Sequence, residues 1–156
     1  MADGVTVRVI KLEDHFAAAL AAASGATLAK AVMAGGQVVE AHAKINASRG
    51  RPGLNEVSGH LVASIKAILV KSTDTSAEVD VGPTDIPYGR IHEFGGVIRA
   101  LTSRGLRFQI GGQWITKQAV HIPARPYLRP SVDENEQRIL DAVGYELKAG
   151  LEAATR

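Results

Sequence analysis

With 156 residues, 46% of them hydrophobic and 22% charged, the chain has the balance of one globular domain with a buried core, which excludes wholesale disorder and fibrous repeats. It contains no cysteine, which excludes a disulfide framework, a thiol nucleophile and a cysteine-ligated metal. A formal net charge of +2 is too small to announce a nucleic-acid binder by itself.

The start, Met1-Ala2-Asp3-Gly4, lacks the basic-then-apolar pattern of a signal peptide. The longest apolar run, Phe16–Ala23, is far shorter than the roughly 20 residues a membrane span needs, so a soluble, cytoplasm-assembled protein with no membrane partner is expected. Val5–Ile10 alternates like a short strand, and Leu12–Ala23 reads as an alanine-rich helix interrupted by Ser24-Gly25. Thr27 can cap a second helix over Leu28–Asn46, with Leu28, Val32, Val38, Val39, His42 and Ile45 laying one apolar stripe on a core. Gly35-Gly36 breaks that stripe. Each glycine weakens a helix by about 1 kcal/mol relative to alanine, which points to a kink, a break or a closely approaching neighbour.

Ser48–Glu56 is a loop by composition. Ser58 can cap a short helix from Gly59 that buries Leu61 and Ile65, and strands follow at Ile65–Lys71 and Ala77–Gly82, joined by the polar turn Ser72–Ser76. Pro83 and Pro87 end that ladder. Tyr88–Phe94 forms a brief helical turn stopped by Gly95-Gly96, with Tyr88, Ile91 and Phe94 spaced for one buried face. The β-prone pieces Val97–Leu101, Leu106–Ile110, Gln113–Thr116 and Ala119–Ile122 make one or two hairpins, a 97–122 insertion within a single 1–156 domain. A final helix is marked by a capping box, Ser131 with Glu134, after Pro130, and by Leu140, Val143, Leu147 and Leu151. The order of elements predicts an α+β fold, a mostly antiparallel sheet packed with two amino-terminal helices and one carboxy-terminal helix.

Enzymatic patterns fail one by one. His92-Glu93 opens like the H-E-x-x-H zinc motif, but Gly96 stands where the second histidine belongs. The five histidines have no close pair, the glycine pairs lack phosphate-cradling spacing, and no serine sits in a nucleophile elbow. No metal, cofactor or catalytic residue is implied, and a hydrolase using Glu93 and His92 is the weakest of the readings, since a lone acid makes no glycosidase pair.

Charge is distributed unevenly. Between Glu93 and Asp133 there is no acid, while Arg99, Arg104, Arg107, Lys117, Arg125 and Arg129 all lie there; from Asp133 onward six acids face three bases. Arg99, Arg104, Arg107 and Lys117 are therefore candidates for DNA-phosphate or inter-subunit contacts, with Phe108 and Trp114 either stacking on bases or pinning a hairpin. Pro123, Pro126 and Pro130 stiffen the lead into the last helix, in which Arg125 either pairs with Glu93 or caps a helix end.

Three segments, in order, resemble the tail-completion or head–tail joining proteins of long-tailed bacteriophages and the related Mu-type virion-morphogenesis proteins. Ser58–Ile65 is similar to that family's T-G-x-L-x-x-S-I, Tyr88–Gly96 to its Y-A-x-x-x-E-F-G, and Pro123–Pro130 to its P-A-R-P-F-L-R-P. The resemblance marks Tyr88, His92, Glu93, Phe94, Gly95, Gly96, Pro123, Arg125, Pro126, Tyr127, Leu128 and Pro130 as a structural or interface motif. It implies a non-enzymatic virion component, assembled in the host cytoplasm as a hexameric or dodecameric ring at the neck. There it would meet the head connector and the tail-tube or terminator proteins, with DNA passing through the lumen. A ring needs two different complementary patches per subunit, and an acid-free hairpin region with an acidic final helix is one way to supply them. The other reading the residues leave open is a small DNA-binding module using the basic 97–129 region.

Overall fold

The structure is a computed structural model that describes residues 24–50, 54 and 58–154. The expected strand Val5–Ile10 and helix Leu12–Ala23 lie outside the described residues.

Helix α1 runs unbroken over Gly25–Ser48. It begins earlier than expected because Ser24, and not Thr27, is its N-cap: the Ser24 hydroxyl accepts the Thr27 amide at 3.4 Å. Its buried stripe is made mostly of small residues, Leu28, Ala31, Gly35, Gly36, Val39, Ala43 and Ala47, whereas Ile45 is exposed. The glycine pair does not break the helix. A Cβ on Gly35 would lie 2.9 Å from Val143 Cγ2, and one on Gly36 only 2.6 Å from Val79 Cγ1. The two positions thus let α1 press against an element on each side, and the packing gained outweighs the helix-propensity loss.

One of those sides is a ladder. After α2, His60–Ser64, strands β1, Ile65–Ser72, and β2, Ala77–Pro83, pair antiparallel from Ile65↔Pro83 to Ser72↔Ala77, with an irregularity between Leu69 and Lys71. Ile65, Val79 and Val81 point inward, and Ile68, Leu69 and Val70 remain exposed. Helix α3, Gly89–Phe94, then leads into β3, Gly96–Arg99, β4, Leu106–Ile110, β5, Gln113–Lys117, and β6, Ala119–Ile122. The order is nested: β3 pairs with β6 and β4 with β5, both antiparallel. Four paired positions in one ladder and five in the other, linked by the Ala100 amide donating to the Gln118 carbonyl at 2.8 Å, make a two-stranded arm. The arm packs on itself and adds no residue to either core cluster. The fold is α+β as expected, but among the described residues the strands form three two-stranded ladders and not one larger sheet.

The chain closes with α4, Arg129–Asp133, and α5, Glu136–Ala154. The expected capping box is absent because Ser131 lies inside α4, where its hydroxyl donates to the Leu128 carbonyl. The chain re-enters helix after Asn135, whose side-chain amide donates to the Ser131 carbonyl at 3.1 Å. Ile139, Val143 and Leu147 form the buried face of α5, with Leu140 and Leu151 only half-buried beside it. The core joins Val39, Ile65, Val81, Tyr127, Leu128 and Ile139, and a second cluster joins Leu28 and Ala31 to Val143 and Leu147.

Candidate functional site

The base of the arm is a corner made by α3 and the proline-rich strap, residues 123–130. Because the prolines lack amide hydrogens, the strap has few donors, and nearly all of them are engaged. The Arg125 amide donates to the His92 carbonyl at 2.7 Å. Those of Tyr127, Leu128 and Arg129 all donate to the Glu93 carboxylate, at 2.8, 2.9 and 3.0 Å. Glu93 is 5% exposed, so it serves the first amides of α4 as an N-cap would, from a different element. The Asn46 side chain of α1 donates to the Tyr127 carbonyl at 3.3 Å, tying the strap to the central helix.

Tyr127 locks the corner from the other side. Its ring is fully buried, and its hydroxyl donates to the Gly89 carbonyl at 3.3 Å. Burial, and then the Glu93 carboxylate, push that hydroxyl far above its ordinary pKa, so it stays a donor. Gly89 is buried here, and a Cβ on it would fall 2.6 Å from Pro83 Cγ. At Gly95 the backbone turns with φ 70° and ψ −179°, a region almost reserved for glycine. A Cβ there would sit 2.7 Å from the Ala124 nitrogen, so the arm's two strands can leave the corner side by side.

Three expectations for this corner are corrected. Tyr88 and Phe94 are 41% and 54% exposed; the buried face of α3 is Gly89 and Glu93, because the strap amides claim the carboxylate side of the helix. Arg125 is not Glu93's partner, main-chain amides having taken both oxygens. The guanidinium instead acts on His92. Burial, and then Arg125, hold the His92 ring below its ordinary pKa, and its buried Nδ1 has no hydrogen-bond partner among the described residues. The ring stands edge-on to Tyr88, with centroids 5.9 Å apart. The motif residues His92, Glu93, Gly95, Gly96, Pro123, Arg125, Pro126, Tyr127, Leu128 and Pro130 are thereby drawn into or beside one corner, although Glu93 and Tyr127 are 34 positions apart.

The basic candidates are not gathered in the same way. Arg99, Arg104, Arg107 and Lys117 are all exposed along the arm. The register Leu106↔Lys117 and Arg107↔Thr116 puts Arg107 and Lys117 on opposite faces of the ribbon. Arg107 lies over the Trp114 ring, with Cζ 4.5 Å from the centroid, and Trp114 is 62% exposed. Phe108 is half-buried opposite Ile115, pinning the hairpin. Sequence reasoning missed Gly89 as a packing contact and Asn46 as an anchor; neither carries a local pattern that reveals a partner far along the chain.

Among the described residues no group of acids and histidines could hold a metal ion, and no helix is long and apolar enough to cross a membrane. The model of the phage virion morphogenesis family matches residues 12–148. No curated protein and no solved structure matches the chain.

Proposed function

The chain belongs to the phage virion morphogenesis family, and we propose that within phage morphogenesis it is a structural, non-enzymatic protein of the neck, forming a ring that joins or completes the tail at the head–tail interface. The observation that carries the reading is the corner itself. A buried carboxylate whose oxygens are occupied by three amides is suited to holding a shape and poorly placed to exchange protons with a substrate. What it holds is the root of a long, exposed arm, and an arm that leaves one body is suited to reach another.

The ring is hexameric or dodecameric by family resemblance, with the head connector on one side, the tail-tube or terminator protein on the other, and genomic DNA crossing the lumen without sequence readout. Electron cryo-microscopy of intact particles, with light scattering of the purified protein, tests this: a closed ring at the head–tail junction is expected. A strictly monomeric protein missing from purified particles would sink the reading. A DNA-binding module is the second reading, favoured by the exposed Arg107–Trp114 pair. It ranks lower because Arg107 and Lys117 face opposite ways, and it requires salt-dependent retention on duplex DNA that disappears when Arg99, Arg104, Arg107 and Lys117 are neutralised.

A further inference from the structure

We propose that the arm of one copy docks, through its Arg107–Trp114 face, on the acidic patch where α4 passes into α5 of a second copy. This contact rests on the ring reading and gives it an interface.

A two-stranded ribbon standing alone is marginally stable in water, yet this one has nine paired positions and, among the described residues, no layer of its own body over it. Among the described residues, five of the twelve exposed large hydrophobic ones lie on it: Val97, Ile98, Leu101, Ile110 and Trp114, Leu101 being fully exposed. A surface of that kind is built to be covered by protein. Arg107 stacked on Trp114 presents the two residue types that most often anchor protein interfaces, already held together before any partner arrives.

Charge selects the partner. The arm carries Arg99, Arg104, Arg107 and Lys117 and no acid. Asp133, Glu134, Glu136 and Asp141 are all exposed where α4 passes into α5, outnumbering the exposed Arg138 of that stretch; Asp141 accepts from the Gln137 side-chain amide at 2.9 Å, and none of the four has an ion-pair partner among the described residues. Glu146, further along α5, is instead held at 2.9 Å by Lys30 of the same chain. Tyr145, one turn beyond Asp141, is 73% exposed and offers an apolar neighbour to the arm's indole. Because arm and patch are different surfaces of one chain, each copy can give one contact and receive another, the head-to-tail arrangement that closes into rings.

Trp114 is the chain's single tryptophan, so its fluorescence reports the contact directly. In the full-length protein at low salt, emission should move to the blue and acrylamide quenching should fall as concentration rises and sedimentation shows larger species. Arg104→Glu with Arg107→Glu should weaken association about tenfold or more, as should Asp133→Lys with Asp141→Lys. The chain carrying all four reversals should regain association and the blue shift, which a misfolded variant could not do. Rings that assemble while Trp114 stays open to acrylamide, or a fourfold variant that remains dissociated, overturn the docking and leave the ring standing. A shift that appears only on adding duplex DNA overturns it in favour of nucleic acid. A parent that never associates overturns both.

Discussion

At Glu93 one side chain decides the geometry of a corner. Two of the three amides it accepts belong to the fully buried Tyr127 and Leu128, and a buried amide left without an acceptor costs about 1 to 3 kcal/mol. Glu93→Ala should therefore lower unfolding free energy by on the order of 3 kcal/mol or more, and Glu93→Gln by less, since one carbonyl oxygen remains to accept. Arg125→Ala should cost under about 1 kcal/mol, because the guanidinium is not part of the clamp. Urea titrations of the three variants check the order, and an Arg125 variant as damaged as Glu93→Ala would contradict it. Phe94 makes a useful contrast. Its helical spacing with Tyr88 and Ile91 reads as a buried face, but at 54% exposure the expected cost of Phe94→Ala is below about 1 kcal/mol in the same titration, not the 3 to 5 of a core phenylalanine.

Among the elements, the α3 corner and the α1–β1 contact carry the most specific consequences. Gly95→Ala forces a side chain into a region costing about 1 to 3 kcal/mol and into the Ala124 main chain, so a loss of roughly 2 to 4 kcal/mol is expected by urea unfolding. A neutral result would show that the strap can move aside. Acid should weaken the fold in two stages. His92 is held below its ordinary value of 6.5, so the folded chain resists a proton that the unfolded chain accepts; its contribution is complete above about pH 6.5 and lost as pH falls through the folded value. At Glu40 burial raises the carboxyl pKa, but the Lys44 ammonium and the Ala67 amide, at 2.7 Å, outweigh it and hold it below its ordinary 4.5. That second contribution is present above about pH 4.5 and lost below it. Urea midpoints should fall on acidification through the histidine range, and His92→Gln should flatten that upper stage; an unchanged slope would remove His92 as its cause. How much of this was legible in the sequence follows from range. β4 and β6 have the expected ends, because alternation and glycine turns act within a few residues. The capping box at Ser131 failed because the buried start of α4 already has its acceptor in Glu93, a contact 34 to 36 positions away that no local pattern encodes. The buried stripe of α1 differs from the expected one for the same reason, since the partner helix and ladder set it; of the alternatives offered by the glycine pair, the closely approaching neighbour is the one that holds.

Across the whole molecule, stability and assembly should be separable, since the arm and the body share so little. The two core clusters draw on α1, α2, β1, β2, the strap, α4 and α5 and on no residue of the arm. Arg99 and Ala119 face each other as the last pair of the β3–β6 ladder, so residues 100–118 can be replaced by Asn-Gly, a turn whose left-handed conformations match the twist of a two-stranded ribbon. The expected result is a protein whose melting temperature stays within about 4 °C of the parent, the shift produced by about 1 kcal/mol in a domain of this size. The same protein should remain monomeric at concentrations where the parent associates, and it should be missing from particles assembled in its presence. A shortened chain that melts far lower would mean that the arm stabilises its own body, contrary to its packing. One that still forms rings would place the subunit contact on the body, where the exposed Ile68–Val70 edge of β1 would become the surface to mutate next.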